Sequence, residues 1–196
     1  NPKLGQVWYE NRHNNTEVYS VRQMAEPAIP AAPKFGGLVI AKVPGMNGSD
    51  GNVFFGEWAP RKGNPPQNST DLNMADGKRT VWYVGDNPTR NMPKLVNAKY
   101  NVLGVNKHTP GRNDFYTGTL TANYGTGSGS LTGSISRPGD SVNFAGTNIR
   151  SNGTFDNGKA NEHITGRFYG SGAEALAGIV DRAGVDKDIA FGGRKQ

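Results

Sequence analysis

The 196-residue chain contains no cysteine. This absence excludes a disulfide scaffold, a thiolate zinc site, an iron–sulfur centre and a cysteine nucleophile. No segment approaches the roughly 20 consecutive apolar residues of a transmembrane helix, so the chain is not expected to span a membrane. The sequence also has no run of five like charges, although its formal net charge is +6. A nucleic-acid partner is therefore not expected.

Signals of catalysis are scarce as well. No Gly-x-Ser-x-Gly motif lies at a strand-to-helix turn, because the Gly/Ser-rich stretch 127–130 falls between two predicted strands. No helix follows any glycine-rich loop, which argues against a phosphate-binding loop. Composition alone leaves a Ser–His–Asp triad open. The interpretation is a binding protein that is not an enzyme and has no catalytic residues.

The residues that are abundant favour β-structure. The chain has 28 glycines and 12 prolines. Such a composition is poor in helix formers and rich in turn formers. After Pro93, short segments alternate with period two. In one of them Tyr116, Leu120 and Tyr124 share a face opposite a row of Thr and Asn. About eight such strands, with glycine recurring on the inward face and polar residues outside, predict a small antiparallel soluble β-barrel.

The first part of the chain predicts a smaller sheet. Apolar and aromatic runs at 6–10, 16–21, 37–43, 53–58 and 80–84 read as strands, and Pro- and Asn-rich connectors such as 26–33 and 61–71 separate them. Long loops on a rigid sheet commonly carry binding surfaces. The predicted fold class is therefore all-β, with an N-terminal sheet-and-loop handle (or clamp) domain over residues 1–90 and an eight-stranded barrel over residues 91–196.

Three motifs in the last third carry a family resemblance: 166–170 (GRFYG), 173–178 (AEALAG) and 190–196 (AFGGRKQ). They resemble the closing strands of the barrel in transferrin-binding-protein-B-like surface proteins of Gram-negative bacteria. The segment Thr89–Pro93 resembles the entry into the first barrel strand of that group. The resemblance covers residues 86–196. Full transferrin-binding proteins have two such lobes, whereas this chain has room for one.

Single-lobed members of that group, of the Slam-dependent type, include the haemophilin-like secreted haem-binding proteins and haemoglobin-receptor accessory lipoproteins. The resemblance therefore implies an extracellular haem-binding protein, or haemophore, that captures haem and delivers it to an outer-membrane TonB-dependent receptor. Haemoglobin is a further expected partner, and the protein is expected to be a monomer. The protein is expected to be secreted, or held at the outer-membrane surface if a lipidated cysteine precedes Asn1.

Two other interpretations remain open at this point. A cofactor-free surface lipoprotein could bind haemoglobin, transferrin or another host protein through the long loops. Alternatively, an orphan surface lipoprotein could share the barrel for export recognition alone, because fold does not determine function.

The expected cofactor is haem, which needs an apolar slot, an axial ligand and cations for its propionates. The chain has three histidines, and imidazole is the commonest metal ligand. His163 is expected to face solvent, which leaves His108 and His13 in loops. His108 ranks first because a hairpin anchored at both ends positions a ligand well. The remaining expected cofactor-binding residues are the neighbouring cations and two aromatics: Arg12, Lys107, Arg112, Trp8 and Tyr9.

Overall fold

The N-terminal third folds into one antiparallel sheet. The computed structural model describes residues 5–23, 36–45, 52–61 and 72–196. The sheet follows chain order: β1 (Gly5–Asn11), β2 (Glu17–Gln23), β3 (Gly37–Lys42), β4 (Val53–Ala59) and β5 (Thr80–Gly85). All five strands predicted in this part are confirmed. Nearly all of the predicted connectors at 26–33 and 61–71 lies outside the described residues.

The remaining strands close into a barrel: β6 (Leu95–Val105), β7 (Tyr116–Gly125), β8 (Ser128–Arg137), β9 (Asp140–Asn143), β10 (Thr147–Arg150), β11 (Thr154–Asp156), β12 (His163–Tyr169), β13 (Ala175–Asp181) and β14 (Ile189–Lys195). The last strand, β14, pairs with β6, and β10 pairs with one half of β8 while β9 pairs with the other half. Eight strands therefore surround the interior, and the predicted all-β architecture with an eight-stranded barrel is confirmed. The proposed boundary at residue 90 stays a prediction.

The barrel interior is a packed apolar core. Tyr116, Leu120 and Tyr124 are buried in it, on the face that alternation predicted. Inward glycines make room for large rings: a Cβ on Gly178 would lie 2.7 Å from the ring of Phe191, and one on Gly166 would lie 2.5 Å from the ring of Phe155. Glycine at these positions lets a narrow barrel hold several phenylalanines without overpacking.

The expectation that the whole outer barrel surface is polar is wrong. A second core lies between the first sheet and the outer side of the barrel, and Ala177, Ala190 and Leu103 contribute to it from the barrel. Phe55 packs there so closely that a Cβ on Gly192 would lie 2.6 Å from its ring. In β13 and β14 both alternating sets of residues are apolar, because one set faces the core inside the barrel and the other faces the core under the first sheet.

The helical content is minimal. Two short 3-10 turns, His13–Asn15 and Val185–Lys187, are the helical elements of the described ranges. Within those ranges no helix is long and apolar enough to cross a membrane.

Candidate functional site

The loop between β6 and β7 folds back onto the first sheet and places His108 in the interface. The His108 side chain is fully buried, and its ring stacks on Phe115 with a centroid separation of 4.2 Å. Nδ1 lies 2.5 Å from Asp114 Oδ1, and Nε2 lies 2.5 Å from Glu10 Oε2. Each ring nitrogen thus has a carboxylate partner that would have to move before the nitrogen could bind iron.

Glu10 joins β1 to the same loop through its other oxygen. Its Oε1 accepts the Gly111 N–H at 2.6 Å and also contacts the Arg12 guanidinium. Burial raises the pKa of Glu10, but the hydrogen bonds from His108, Gly111 and Arg12 outweigh it and hold that pKa below its usual value. Arg12 also donates to the Arg112 carbonyl at 3.2 Å. The two loops that carry His13 and His108 are therefore held together at Glu10 and Arg12.

A buried ion pair holds the β6–β7 loop from the side of the first sheet. Arg79 Nη2 donates to Glu57 Oε2 at 2.6 Å, and both side chains are at most 1% exposed. The same carboxylate accepts the backbone N–H groups of Lys107 and His108 at 2.7 and 2.8 Å. Arg22 donates to the His108 carbonyl at 3.1 Å. These contacts anchor the β6–β7 loop to the first sheet.

The other sequence-predicted residues are distributed around this junction. Lys107 Nζ pairs with Asp186 at 3.0 Å, away from the histidines. Arg112 is exposed, and His13 is exposed in the turn between β1 and β2. Trp8 is half-buried opposite Ser20, whereas Tyr9 is exposed and contacts Tyr19 with ring centroids 5.2 Å apart.

The surface of the first sheet that faces away from the barrel is apolar. We call it the outer face. In the strand register, Tyr9, Tyr19, Ile40, Gly56 and Trp82 form one row across all five strands. The flanking rows add further apolar residues to the outer face, namely Val7, Val21, Leu38, Trp58, Phe54 and Val84.

Several outer-face side chains are strongly exposed, with Val7 at 62%, Tyr9 at 54% and Val84 at 56%. These residues lie on the two edge strands, and most of the apolar residues between them are half-buried. Exposed apolar surface of this kind is typical of a ligand or partner site. Sequence reasoning named Tyr9 but missed the face as a whole. The available signal was that apolar residues occupy both alternating sets of positions in these strands, which predicts an apolar surface on both sides of the sheet.

A cleft of about 650 Å³ adjoins the outer face at the end of the sheet. We call it the hairpin cleft. It is bounded by Tyr9, Asn11, Asn14, Asn15, Glu17, Lys42, Val43, Pro44, Gly45, Asn101, Arg194, Lys195 and Gln196. Its size is within the range of small-molecule sites. The cleft is bordered by Asn14 and Asn15 of the turn between β1 and β2, and His13 is exposed in the same turn without lining the cleft.

A second cavity, of about 470 Å³, lies at the mouth of the barrel, where charges are paired. Arg182 Nη1 lies 2.5 Å from Asp140 Oδ2, and the Tyr116 hydroxyl also donates to that carboxylate. Hydrogen bonding from Arg182 lowers the pKa of Asp140 to about 2. These contacts cross-link β7, β9 and the end of β13, so we assign the charged residues of this cavity a role in stabilising the barrel.

We expect Asp140→Asn to lower the free energy of unfolding at pH 7 by about 1 kcal/mol, a value reduced for the partial exposure of the carboxylate. The pKa of Asp140 is lower in the folded protein than in the unfolded chain, where it is about 4. The ionised carboxylate therefore stabilises the fold at pH values above about 4. That contribution is lost as the pH falls toward 2. Urea unfolding at pH 7 and pH 2.5 measures it, with Asp156→Asn, on the exposed Arg150 pair, as the control. An Asp140→Asn difference that is equally large at both pH values would contradict this explanation.

Within the described ranges, no group of three or more His, Asp or Glu side chains is arranged to hold a metal ion. The barrel is similar to a known protein family. Residues 90–195 match the family model described as the HphA C-terminal domain. The match covers the whole barrel and leaves β1–β5, the outer face and most of the hairpin cleft outside it.

Proposed function

The chain belongs to the HphA C-terminal domain family, which is haemophilin-like, and on that premise we propose that it is an extracellular haemophore. It captures haem, with haemoglobin as one source, and delivers it to an outer-membrane TonB-dependent receptor. The family match over residues 90–195 is the observation that carries this proposal. The family is one of binding and transport proteins rather than enzymes.

The apolar outer face of the first sheet supports this proposal. A porphyrin needs an apolar surface, and the outer face exposes Tyr9 and Val7 next to the hairpin cleft. The group would bring an iron that accepts an imidazole nitrogen and two propionates that attract cations. In this proposal the outer face covers the ring and excludes water, and the turn between β1 and β2 presents the ligand.

The proposed iron ligand is His13, which reverses the order expected from the sequence. His13 is exposed in the turn that borders the hairpin cleft, whereas both nitrogens of His108 contact carboxylates. His108 then acts indirectly, because its bond to Glu10 holds the strand that leads into the His13 turn. Arg12 supports the same turn through Glu10 and the Arg112 carbonyl.

Titration of the purified protein with hemin tests the proposal. We expect a Soret band that saturates near one equivalent. Trp58 and Trp82 are on the outer face, so tryptophan fluorescence should be quenched over the same range. A basic protein without a haem site serves as the control. A spectrum indistinguishable from that control would overturn the proposal.

The exposed outer face also suits a protein partner, because apolar and aromatic side chains are typical of interface centres. A second candidate function is therefore cofactor-free binding of a host protein. Retention of haemoglobin or transferrin from lysate or serum by haem-free protein, together with a negative hemin titration, would favour it.

A further inference from the structure

The hairpin cleft has an excess of positive charge that its own residues do not neutralise. Lys42 Nζ lies 3.9 Å from Glu17, at the outer limit of an ion pair. Arg194 donates to the Gly45 carbonyl, and Lys195 donates to the Gly172 carbonyl at 2.8 Å. Among the described residues, no carboxylate lies within 4.0 Å of the Arg194 or Lys195 nitrogens. Two cations, Lys42 and Arg194, thus share the cleft with one acidic side chain, that of Glu17, while the Lys195 ammonium bonds to Gly172, which does not line the cleft.

The cavity at the barrel mouth provides a contrast. It has four cations and three acidic side chains, but most of these charges are already matched. Arg182 pairs with Asp140 at 2.5 Å, and Lys107 pairs with Asp186 at 3.0 Å. An incoming anion would have to compete with those carboxylates. In the hairpin cleft it would compete mainly with neutral carbonyls, which bind cations less strongly.

The other walls of the hairpin cleft define the kind of anion. Tyr9 and Pro44 provide apolar surface, and Tyr9 continues onto the outer face. Asn14 and Asn15 add amide donors. A ligand that fits has an apolar body and a carboxylate edge. A guanidinium such as that of Arg194 binds a carboxylate through two parallel hydrogen bonds, and the Lys42 ammonium adds a point charge.

We propose that Lys42 and Arg194 form a carboxylate seat in which the hairpin cleft binds the propionates of a porphyrin. This inference rests on the proposed haem-binding function and specifies which form of the ligand the protein selects. Two of the three cations expected from the sequence are engaged elsewhere, since Lys107 pairs with Asp186 and Arg12 contacts Glu10, whereas Arg112 is exposed on the β6–β7 loop. The seat acts on the carboxylates alone, so it should work with or without iron.

The test compares hemin, metal-free protoporphyrin IX and hemin dimethyl ester, using quenching of tryptophan fluorescence. We expect the wild-type protein to bind both free acids at least tenfold more tightly than the ester. The double variant Lys42→Gln/Arg194→Gln should lose at least tenfold in affinity for both acids while its affinity for the ester is unchanged. The control Lys107→Gln/Lys187→Gln removes the same charge at the barrel mouth, and circular dichroism verifies folding of both variants.

Equal losses in the two double variants would overturn the seat, because the effect would then come from net charge. Equal wild-type affinity for the acids and the ester would overturn it as well. In either case hemin binding by the wild type would leave the proposed function standing. If the wild type binds none of the three porphyrins, the proposed function fails and the seat fails with it.

Discussion

Replacing Glu57 with alanine is expected to lower the free energy of unfolding by about 3–5 kcal/mol, the cost of breaking a buried ion pair by removing one partner. The Arg79 side chain, fully buried, would lose its carboxylate. The backbone N–H groups of Lys107 and His108 would lose their acceptor. The loss should be large because one carboxylate satisfies three donors from two separate parts of the chain, Arg79 and the β6–β7 loop.

Urea unfolding followed by circular dichroism measures this change. Glu17→Ala is the matched control, because Glu17 is 38% exposed and lies 3.9 Å from Lys42. We expect that control to change the free energy of unfolding by less than about 1 kcal/mol. Glu57→Gln should fall between the two, since an amide oxygen keeps an acceptor but not the charge. A Glu57→Ala protein as stable as the control would show that the buried cluster does not hold the two sheets together.

The second large effect is expected for the two loop histidines. We expect His13 to act as the iron ligand and His108 to stabilise the fold. His13→Ala should abolish the spectrum of histidine-bound haem and lower hemin affinity at least tenfold, while leaving the free energy of unfolding within about 0.5 kcal/mol of wild type. His108→Ala should retain that spectrum. It should lower the free energy of unfolding by about 2–3 kcal/mol because Glu10 and Asp114 lose their buried partner.

Both variants are compared with His163→Ala, which removes a half-buried histidine on the barrel. Hemin titrations are performed at a temperature where all three variants are folded, and urea unfolding is measured in parallel. Loss of the spectrum in folded His108→Ala, with the spectrum intact in His13→Ala, would restore His108 as the iron ligand. It would also require Glu10 or Asp114 to move on binding.

Local features of this protein could be predicted because they depend on neighbouring residues. Alternation with period two identified the strands of both sheets, since side chains along a strand point to opposite faces whatever the strand later pairs with. The terminal motifs near 166–170 and 190–196 indicated the haemophilin-like barrel, and the family match over 90–195 confirms it. The likeness to transferrin-binding protein B stays a prediction.

The candidate haem site could not be predicted in the same way, because it depends on contacts between residues that are far apart in the sequence. Whether His108 is an exposed ligand or a buried anchor is decided by Glu10, which lies 98 positions away in the chain. The apolar outer positions of β13 and β14 became a core only because the first sheet packs on them. The same packing leaves the outer face uncovered by the barrel and brings Lys42 beside Arg194 in one cleft. Alternation assigns a residue to one of two faces. Only the packing of the two sheets decides which face is buried, because burial depends on what lies across the strand and not along it.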